Sequence, residues 1–318
     1  MTLTEDNPTT TRSAVSARPV AGFIGAEISG VDLTRELTDE EVADIRAALV
    51  RHKVIFFRDQ HITPEQQVEF GRRFGEITAA HPTLPPLDED HPEILVIGGE
   101  AAYYGLPEED AADADSYFGV ENHFHTDVTF VHNPPLGSIL RAVEVPSQGG
   151  DTAWTNLVAA YENLSQPIKD LVDGLHAVHR NEIHVELGSR RALALRAAFN
   201  SSPYWTEHPV VRVHPESGEK ALFVNRNFTS HIVGLRNAES RALLELLYAQ
   251  VENPRWSVRF TWEPGSIAFW DNRATAHLAA LDALADEPRT LHRITVRGDV
   301  PEGPDGFRSE VLEGGTFS

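Results

Sequence analysis

The chain contains no cysteine at any of its 318 positions. This absence excludes disulfide bonds, thiolate metal sites, iron–sulfur clusters and cysteine nucleophiles. Basic residues are also scarce: 27 lysine and arginine residues face 48 aspartate and glutamate residues, and the formal net charge is -21. Because so acidic a surface repels nucleic acids and anionic membranes, we expect neither as a partner.

Long hydrophobic runs are missing as well. No stretch of the sequence approaches the roughly 18 apolar residues of a membrane span, and the polar N-terminus lacks the apolar core of a signal peptide. With 41% hydrophobic and 24% charged residues, the composition is typical of a soluble globular protein. We therefore expect a cytoplasmic protein whose partner is a small molecule, and this composition is compatible with a homo-oligomer.

The length of the chain allows one large domain or two small ones. Residues 1–17 are rich in threonine and serine, and we predict that they are disordered. Residues 18–318 contain no internal repeat and no convincing linker, which favours a single domain. Within it the acidic segment 101–120 has the length of a mobile loop, for which a lid and a simple surface excursion are equally good interpretations.

Local sequence signals predict a mixture of short strands and inserted helices. Thr38 and Thr63 each open a capping box, and Pro64 occupies a first helical position. Further helices are predicted at 167–175 and 238–251. Strands are predicted at 54–57, 138–145, 210–213, 221–224, 258–262, 266–270 and 290–296. Helices that interrupt the strands without alternating with them indicate an α+β fold with a β-sandwich or barrel core.

The segment from His123 to Phe130 carries the most informative chemistry. Residues two apart on an extended strand face the same side, so His125 and Asp127 can both reach one ion. An imidazole and a carboxylate are two thirds of the 2-His-1-carboxylate triad of non-haem Fe(II) oxygenases. His123 lies on the same face, so spacing alone does not choose between His123 and His125. Two polar residues on a solvated strand face are the alternative interpretation.

A third ligand must come from a distant part of the sequence. His277 follows a predicted strand and a polar turn, which suits a side chain at the mouth of a barrel. Just beyond it, Arg289 and Arg293 share one face of the next predicted strand. Arginines that point into one cavity need anions there, and the distal carboxylate of 2-oxoglutarate is a suitable partner. A solvated pair of arginines is the alternative.

Together these motifs resemble the taurine dioxygenase family of Fe(II)/2-oxoglutarate-dependent enzymes, which includes the alkylsulfatase dioxygenases. The resemblance covers nearly the whole chain, and its blocks lie at 52–58, 125–130, 149–152, 208–212, 270–277 and 289–293. Several ordered motifs at family-like separations are far more specific than any one of them. The resemblance implies a double-stranded β-helix, or jelly roll, with flanking helices.

The resemblance also implies a role for individual residues. It implies that His125, Asp127 and His277 hold Fe(II), and that Arg289, helped by the Thr152 hydroxyl, binds 2-oxoglutarate. The second co-substrate is O2. Because Asp127 is present, no halide is needed as an iron ligand, so hydroxylation is favoured over halogenation.

The substrate implied by the resemblance is a small organic anion. His81 and Arg293 fall where the family holds a sulfonate or sulfate group, and Phe124 is the neighbouring pocket residue. The implied reaction hydroxylates an alkanesulfonate or alkyl sulfate and releases sulfite or sulfate. Phe124 replaces a tryptophan of close relatives, and Leu84 replaces a tyrosine of the taurine enzymes. These departures favour a longer or more apolar substrate than taurine.

Three other functions match parts of the pattern. A hydroxylase of a carboxylate, amino-acid-like or aryloxyalkanoate substrate would use the same metal and co-substrate residues. A non-catalytic metal-binding jelly-roll protein would keep the three ligands but would not need Arg289 and Thr152. A zinc hydrolase would need a nearby acidic base and no co-substrate arginine.

Overall fold

The computed structural model describes residues 14–98, 123–182, 190–280, 282–283 and 287–317. The segment 101–120, for which a lid is one interpretation, lies outside these described residues. The described strands are β1 (Ser16–Pro19), β2 (Ala26–Ser29), β3 (Val54–Phe57), β4 (Leu95–Gly98), β5 (Gly137–Glu144), β6 (Thr152–Asn156), β7 (His176–Arg180), β8 (Trp205–Pro209), β9 (Val211–Val213), β10 (Lys220–Leu222), β11 (Thr229–Ile232), β12 (Ser257–Phe260), β13 (Ile267–Asp271), β14 (Thr275–Ala279), β15 (Thr290–Val296) and β16 (Glu310–Glu313).

The first two helices begin at the predicted capping boxes. In α1 (Asp39–His52) the Thr38 hydroxyl accepts a hydrogen bond from the Glu41 amide, and the Glu41 carboxylate accepts one from the Thr38 amide. The same reciprocal pair opens α2 (Pro64–Arg72) at Thr63. Each box satisfies amides that have no partner inside the helix. The other described α-helices are α3 (Leu157–Glu162), α4 (Gln166–Val172), α5 (Arg190–Phe199) and α6 (Asn237–Val251).

Two layers of mainly antiparallel strands make up the core. The major sheet has seven strands in the order β1-β2-β3-β13-β5-β15-β4, and the smaller sheets have the orders β12-β6-β14, β11-β7-β8-β16 and β10-β9. The Phe56 ring of β3 stacks on Phe260 of β12 with a centroid distance of 4.2 Å, and Trp154 of β6 contacts Trp270 of β13 at 5.5 Å. These contacts pack the three-stranded sheet face to face against the major sheet. The arrangement is the predicted α+β jelly roll.

The continuous apolar run of β3 follows from burial on both sides of the sheet. Val54 and Phe56 face the cluster between the sheets, whereas Ile55 and Phe57 face the cluster beneath α1 and α2. All four side chains are buried. A strand covered on both faces has no solvated positions, so it lacks the polar alternation of an exposed strand.

The last two residues of the segment predicted to be disordered, Ser16 and Ala17, lie in β1. β1 pairs with β2, and Ser16 lies opposite Ser29. The C-terminal end of the predicted tail, residues 1–17, therefore overlaps the first two residues of β1. None of the helices in the described ranges combines the length and apolarity needed to cross a membrane.

Candidate metal centre and co-substrate pocket

His125, Asp127 and His277 converge on one point of the interior. The His125 amide donates to the His277 carbonyl at 2.9 Å, and the His277 amide donates to the His125 carbonyl at 2.7 Å. This reciprocal bridge places the two imidazole centroids 4.4 Å apart. One potential ligand atom of each of the three side chains lies within 4.8 Å of the others. Among the described residues, no other group of three or more His, Asp or Glu side chains comes together in a way that could hold a metal ion.

The chain turns where an extended strand was assumed. His125 makes an isolated bridge, but residues 127–130 form a turn. On an extended strand, side chains two residues apart would emerge roughly 6.6 Å from each other. The turn instead allows the Asp127 carboxylate to lean toward the two histidines, with Oδ1 3.9 Å from His277 Nε2.

The donor set fits a divalent iron ion. His125 Nδ1 lies 3.0 Å from the His123 carbonyl oxygen, to which it donates, so Nε2 keeps its lone pair. Burial lowers the pKa of His125, and burial lowers the pKa of His277 to about 3. Both imidazoles are therefore neutral, which is the ligand form. Two neutral imidazoles and one carboxylate are the donors that non-haem Fe(II) sites use.

The Asp127 carboxylate is ionised and held on both oxygens. Burial opposes its ionisation, but the positive charge of Arg293, with smaller contributions from the two histidines, lowers its pKa to about 2. Ser138 Oγ donates to Asp127 Oδ2 at 2.6 Å, and Asn272 Nδ2 donates to Ser138 Oγ at 2.8 Å. Trp270 Nε1 in turn donates to Asn272 Oδ1 at 2.8 Å. This chain of hydrogen bonds gives the Trp270-Asp271-Asn272 motif a structural role behind the metal centre.

Arg293 enters the same site from β15. Its Nη1 atom lies 2.5 Å from Asp127 Oδ1, and the side chain is buried. The Nε and Nη2 atoms are also buried, and they have no hydrogen-bond partner among the described residues. A buried guanidinium with two N–H groups that lack an acceptor is costly unless an anion is bound there.

His81 lies in the loop before β4, near enough to Arg293 for the charge of the guanidinium to act on its imidazole. Its Nδ1 accepts hydrogen bonds from the amides of Thr83 and Leu84 at 3.1 and 3.2 Å, so its proton is on Nε2. Burial and then the charge of Arg293 lower the pKa of His81 to about 3. His81 thus caps its own loop through one nitrogen and offers the other as a neutral donor. It does not bring the second positive charge that a charge-assisted bond would require.

Arg289 and Thr152 come together beside the metal centre. Arg289 Nε donates to the Gly150 carbonyl at 2.7 Å, and Nη2 lies 3.4 Å from Thr152 Oγ1. The Trp262 indole also donates to Thr152 Oγ1, at 3.0 Å. Thr152 is two residues from Trp154, which lies opposite His277 in the sheet. Thr152 therefore lies on the strand next to that of His277, two residues along from the position opposite it, and Arg289 is beside Thr152.

The backbone around Gly150 is shaped by this arginine. Gly150 has a φ of 69°, and a Cβ atom added there would lie 2.9 Å from Arg289 Cδ. Only glycine combines this left-handed conformation with so close an approach. Arg259 anchors the same loop, because its Nε and Nη2 atoms donate to Asp151 and Asp282 at 2.6 Å each.

Aromatic side chains surround the metal centre. Phe124, which precedes His125, packs against the cluster beneath α3 and α6, and its place in the substrate pocket stays a prediction. Three other phenylalanines line the site. Phe228 lies 6.1 Å from His125 and 5.0 Å from Phe130, and Phe199 lies 5.0 Å from His81, all between ring centroids.

His123 lines a separate polar cavity of about 350 Å³. Arg226, Glu245 and Tyr248 are among the other residues of this cavity, which lies between β11 and α6. Its position two residues before His125 made His123 an alternative ligand, but the group of converging ligand atoms contains His125.

Comparison with known proteins gives concordant results. Residues 16–295 match the model of the taurine catabolism dioxygenase TauD, TfdA family. The chain is 42% identical over 307 residues to an alpha-ketoglutarate-dependent sulfate ester dioxygenase of Pseudomonas putida, and the aligned region covers 95% of each chain. It is 38% identical to an alkylsulfatase of Acinetobacter baylyi, over 98% of this chain and 93% of that protein. The crystal structure of a taurine dioxygenase from Burkholderia xenovorans superposes with a TM-score of 0.77 at 47% identity, over 94% of this chain and 95% of that one.

Proposed function

The chain belongs to the taurine catabolism dioxygenase TauD, TfdA family, and from that premise we propose that its substrate is an alkyl sulfate or alkanesulfonate. It is a 2-oxoglutarate-dependent non-haem iron dioxygenase that acts on a small molecule with O2 as co-substrate. We further propose that it works in the cytoplasm. We also propose that it has no nucleic-acid partner, because 48 acidic residues oppose 27 basic ones.

The observation that carries the substrate proposal is the unsatisfied guanidinium of Arg293. Its Nε and Nη2 groups are buried without a partner among the described residues, while Nη1 bonds the Asp127 carboxylate. His81 adds an Nε2–H donor from the loop before β4. We infer that these N–H groups of Arg293 and His81 bind one substrate oxyanion, because such a group accepts several hydrogen bonds at once.

A sulfate or sulfonate group matches this donor set well. It offers three terminal oxygens in a tetrahedral arrangement, so it can accept from Arg293 and His81 in different directions. Two relatives are named as a sulfate ester dioxygenase and an alkylsulfatase, and these names support a sulfate or sulfonate substrate. Leu84 is buried, and Phe199 and Phe228 form an apolar wall, so the organic part of the substrate is expected to be apolar.

The proposed metal ligands are His125, Asp127 and His277. When bound, Fe(II) supplies the centre at which O2 reacts with the keto acid and at which a substrate C–H bond is oxidised. The His123 carbonyl and Ser138 fix the orientation of two of the ligands through the hydrogen bonds given above. A preset ligand geometry lowers the cost of assembling the site.

The proposed co-substrate residues are Arg289 and Thr152. Arg289 would pair with the distal carboxylate of 2-oxoglutarate, and the Thr152 hydroxyl would add a hydrogen bond to it. The Gly150 carbonyl accepts a hydrogen bond from Arg289 Nε, and Arg289 Nη2 lies next to Thr152 Oγ1.

The proposed reaction balances as a coupled oxidation. O2 takes four electrons, two from 2-oxoglutarate as it becomes succinate and CO2, and two from a substrate C–H bond. One oxygen atom enters succinate and the other enters the substrate carbon. When that carbon also carries the sulfate oxygen, the product collapses to an aldehyde and releases sulfate. Arg293 and His81 would keep this carbon close to the metal, since only a positioned C–H bond reacts efficiently.

Substrate-dependent succinate formation tests the proposal. The protein is loaded with Fe(II) anaerobically and is then given O2, 2-oxoglutarate and, one at a time, medium-chain alkyl sulfates, alkanesulfonates, taurine and phenoxyacetate. We expect equal amounts of succinate and of sulfate or sulfite with the first two groups, and a slower reaction with taurine. If a carboxylate substrate stimulates succinate formation while no sulfur compound does, the enzyme is a hydroxylase of carboxylates instead. The Asp127→Ala protein gives the background.

A further inference from the structure

Val128, the residue directly after Asp127, has a strained backbone. Its φ is 53°, in the left-handed region that a β-branched residue strongly disfavours. The side chain is buried against Phe130, Phe228 and Phe317, so it is not free to rotate toward solvent. Strained conformations of this kind persist only where the surrounding structure holds them.

The next residue, Thr129, is held through both its backbone and its side chain. His208 Nε2 lies 2.7 Å from the Thr129 carbonyl oxygen. Thr129 Oγ1 lies 2.9 Å from His179 Nδ1 and accepts a hydrogen bond from Asn225 Nδ2 at 3.2 Å. All four residues are buried. We call these three hydrogen bonds the Thr129 clamp.

The clamp is built from the sheet that lies beside the metal centre. His179 is on β7, His208 is on β8 and Asn225 precedes β11, and these strands are neighbours in the order β11-β7-β8. Ser309 Oγ lies 2.6 Å from His208 Nδ1, so the His208 imidazole is fixed at both nitrogens. Three separate segments thus hold one threonine, which makes its position rigid.

We propose that Thr129 is a positioning residue for the metal centre, which keeps Val128 left-handed and so aims the Asp127 carboxylate at His125 and His277. This inference rests on the proposed metal ligands. The physical reason is that the left-handed residue makes the turn at 127–130, and this turn replaces the strand geometry that would carry the carboxylate away from the imidazoles. The clamp supplies the hydrogen bonds that offset the strain at Val128.

The proposal is tested by measuring how Thr129→Val changes metal affinity in the wild-type protein and in the Val128→Gly protein. Thr129→Val removes both side-chain bonds of the clamp at nearly constant volume. The metal-free protein is titrated with Co(II), which uses the same nitrogen and oxygen donors, and binding is followed by calorimetry. We expect Thr129→Val to weaken Co(II) binding roughly 10–100-fold, as for other supporting hydrogen bonds of metal ligands. In a Val128→Gly background the same change should cost at most about threefold, because glycine adopts a positive φ readily.

Thr155→Val is the matched control. Thr155 is also fully buried, and its hydroxyl donates at 2.8 Å to the carbonyl oxygen of Val251 on α6, whereas Thr129 bonds His179 and Asn225. It should lower the melting temperature as Thr129→Val does, but it should leave Co(II) affinity unchanged. Asn225→Ser, which removes one bond of the clamp, is a milder second variant should Thr129→Val not fold. It should weaken Co(II) binding about threefold, and Val128→Gly should abolish this loss.

Unchanged Co(II) affinity in Thr129→Val, or the same loss in both backgrounds, would overturn the proposal. If the wild-type protein binds Co(II) and Asp127→Ala does not, such a result refutes the clamp alone and leaves the metal ligands standing. If Asp127→Ala binds Co(II) as tightly as the wild type, the metal assignment fails, and the proposal fails with it.

Discussion

Arg293 and Asp127 form an ion pair in the interior, with Nη1 of the guanidinium 2.5 Å from Oδ1 of the carboxylate. Both side chains are less than a tenth exposed. The proposed metal ligand and the proposed substrate arginine therefore share one electrostatic environment. A metal ion at Asp127 and a substrate at Arg293 would both interact with this pair of charges. The effect of a substitution at either residue therefore depends on the other.

The free energy of unfolding of the metal-free protein should reveal this coupling. Removal of one partner of a buried ion pair typically costs about 3–5 kcal/mol, because the other charge stays buried. We expect Asp127→Ala and Arg293→Ala each to destabilise the protein, and the double variant to cost roughly 1–3 kcal/mol less than their sum. Urea unfolding gives the free energy of unfolding of the wild type, the two single variants and the double variant. The exposed pair Arg297–Glu76 is the control, with a coupling below about 1 kcal/mol. Additive effects in the buried pair would contradict the expectation.

Single substitutions of the proposed ligands should remove the activity. We expect His125→Ala, Asp127→Ala and His277→Ala each to lose Fe(II)-dependent succinate formation. His123→Ala, two residues away and in the separate polar cavity, should keep measurable turnover. Each variant is assayed with Fe(II) at several concentrations, so that weak binding and lost chemistry are distinguished. Full activity of Asp127→Ala would mean that another side chain completes the site.

Elements whose signals are local in sequence were predicted well. The capping boxes at Thr38 and Thr63 place both helix starts, and the strand prediction for 290–296 has the bounds of β15. The strands β1, β2, β4, β6, β7, β8, β11, β14 and β16 were not predicted. β14 (Thr275–Ala279) shows the reason, because its short segment mixes small and polar residues and owes its conformation to pairing with β6. Such pairing is a long-range contact that local propensity does not encode.

The candidate site was predicted in its residue types but not in its supporting contacts. The pattern led to His125, Asp127, Arg289 and Arg293, since the chemistry depends on these types of side chain. Ser138, which bonds Asp127, was not identified. A serine inside an apolar run on β5 was the available signal, but its meaning depends on a partner 11 residues earlier in the chain and on Asn272. Phe199 and Phe228 likewise reach the pocket only through the fold.

Arg289→Ala should weaken 2-oxoglutarate binding strongly. Loss of one partner of a desolvated charge pair costs roughly 2–5 kcal/mol, which corresponds to a loss of affinity between tens and thousands of fold. Anaerobic titration of the Fe(II) protein with 2-oxoglutarate, followed by its charge-transfer absorption, gives the dissociation constant. Arg297→Ala removes a surface arginine just beyond β15 and should leave the constant unchanged. An unaltered affinity in Arg289→Ala would assign the co-substrate to another arginine.

The stability of the metal-free protein should fall as the pH falls below 6.5, partly because of His179. Burial lowers the pKa of His179 to about 3 from an ordinary 6.5. Between these values the unfolded chain binds one more proton at this residue than the folded chain does. The stabilisation is thus complete above pH 6.5 and is lost as the pH falls toward 3, at about 1.4 kcal/mol per pH unit.

Urea unfolding of His179→Gln measures this contribution. The dependence of unfolding free energy on pH, between about pH 6 and pH 4, should be shallower than in the wild type by about one proton. His91 provides a control of opposite sign, because Glu65 and Asp88 raise its pKa. His91→Gln should therefore not make the dependence shallower. An identical slope in His179→Gln and the wild type would show that His179 is protonated in the folded protein.

Arg293→Ala should uncouple the two halves of the reaction. Arg293 is proposed to hold the sulfate or sulfonate group, so its loss removes the means of placing the substrate C–H bond near the metal. We expect 2-oxoglutarate to be consumed slowly while sulfate or sulfite release falls at least about 30-fold, the lower end of a 2–5 kcal/mol loss. Because Arg293 also bonds Asp127, Co(II) titration must show that the variant still binds metal. Arg293→Lys keeps the charge without the planar fork and should recover part of the release. If Arg293→Ala lost succinate and sulfate formation in the same proportion while it bound metal normally, the proposed role of Arg293 in positioning the substrate would be contradicted.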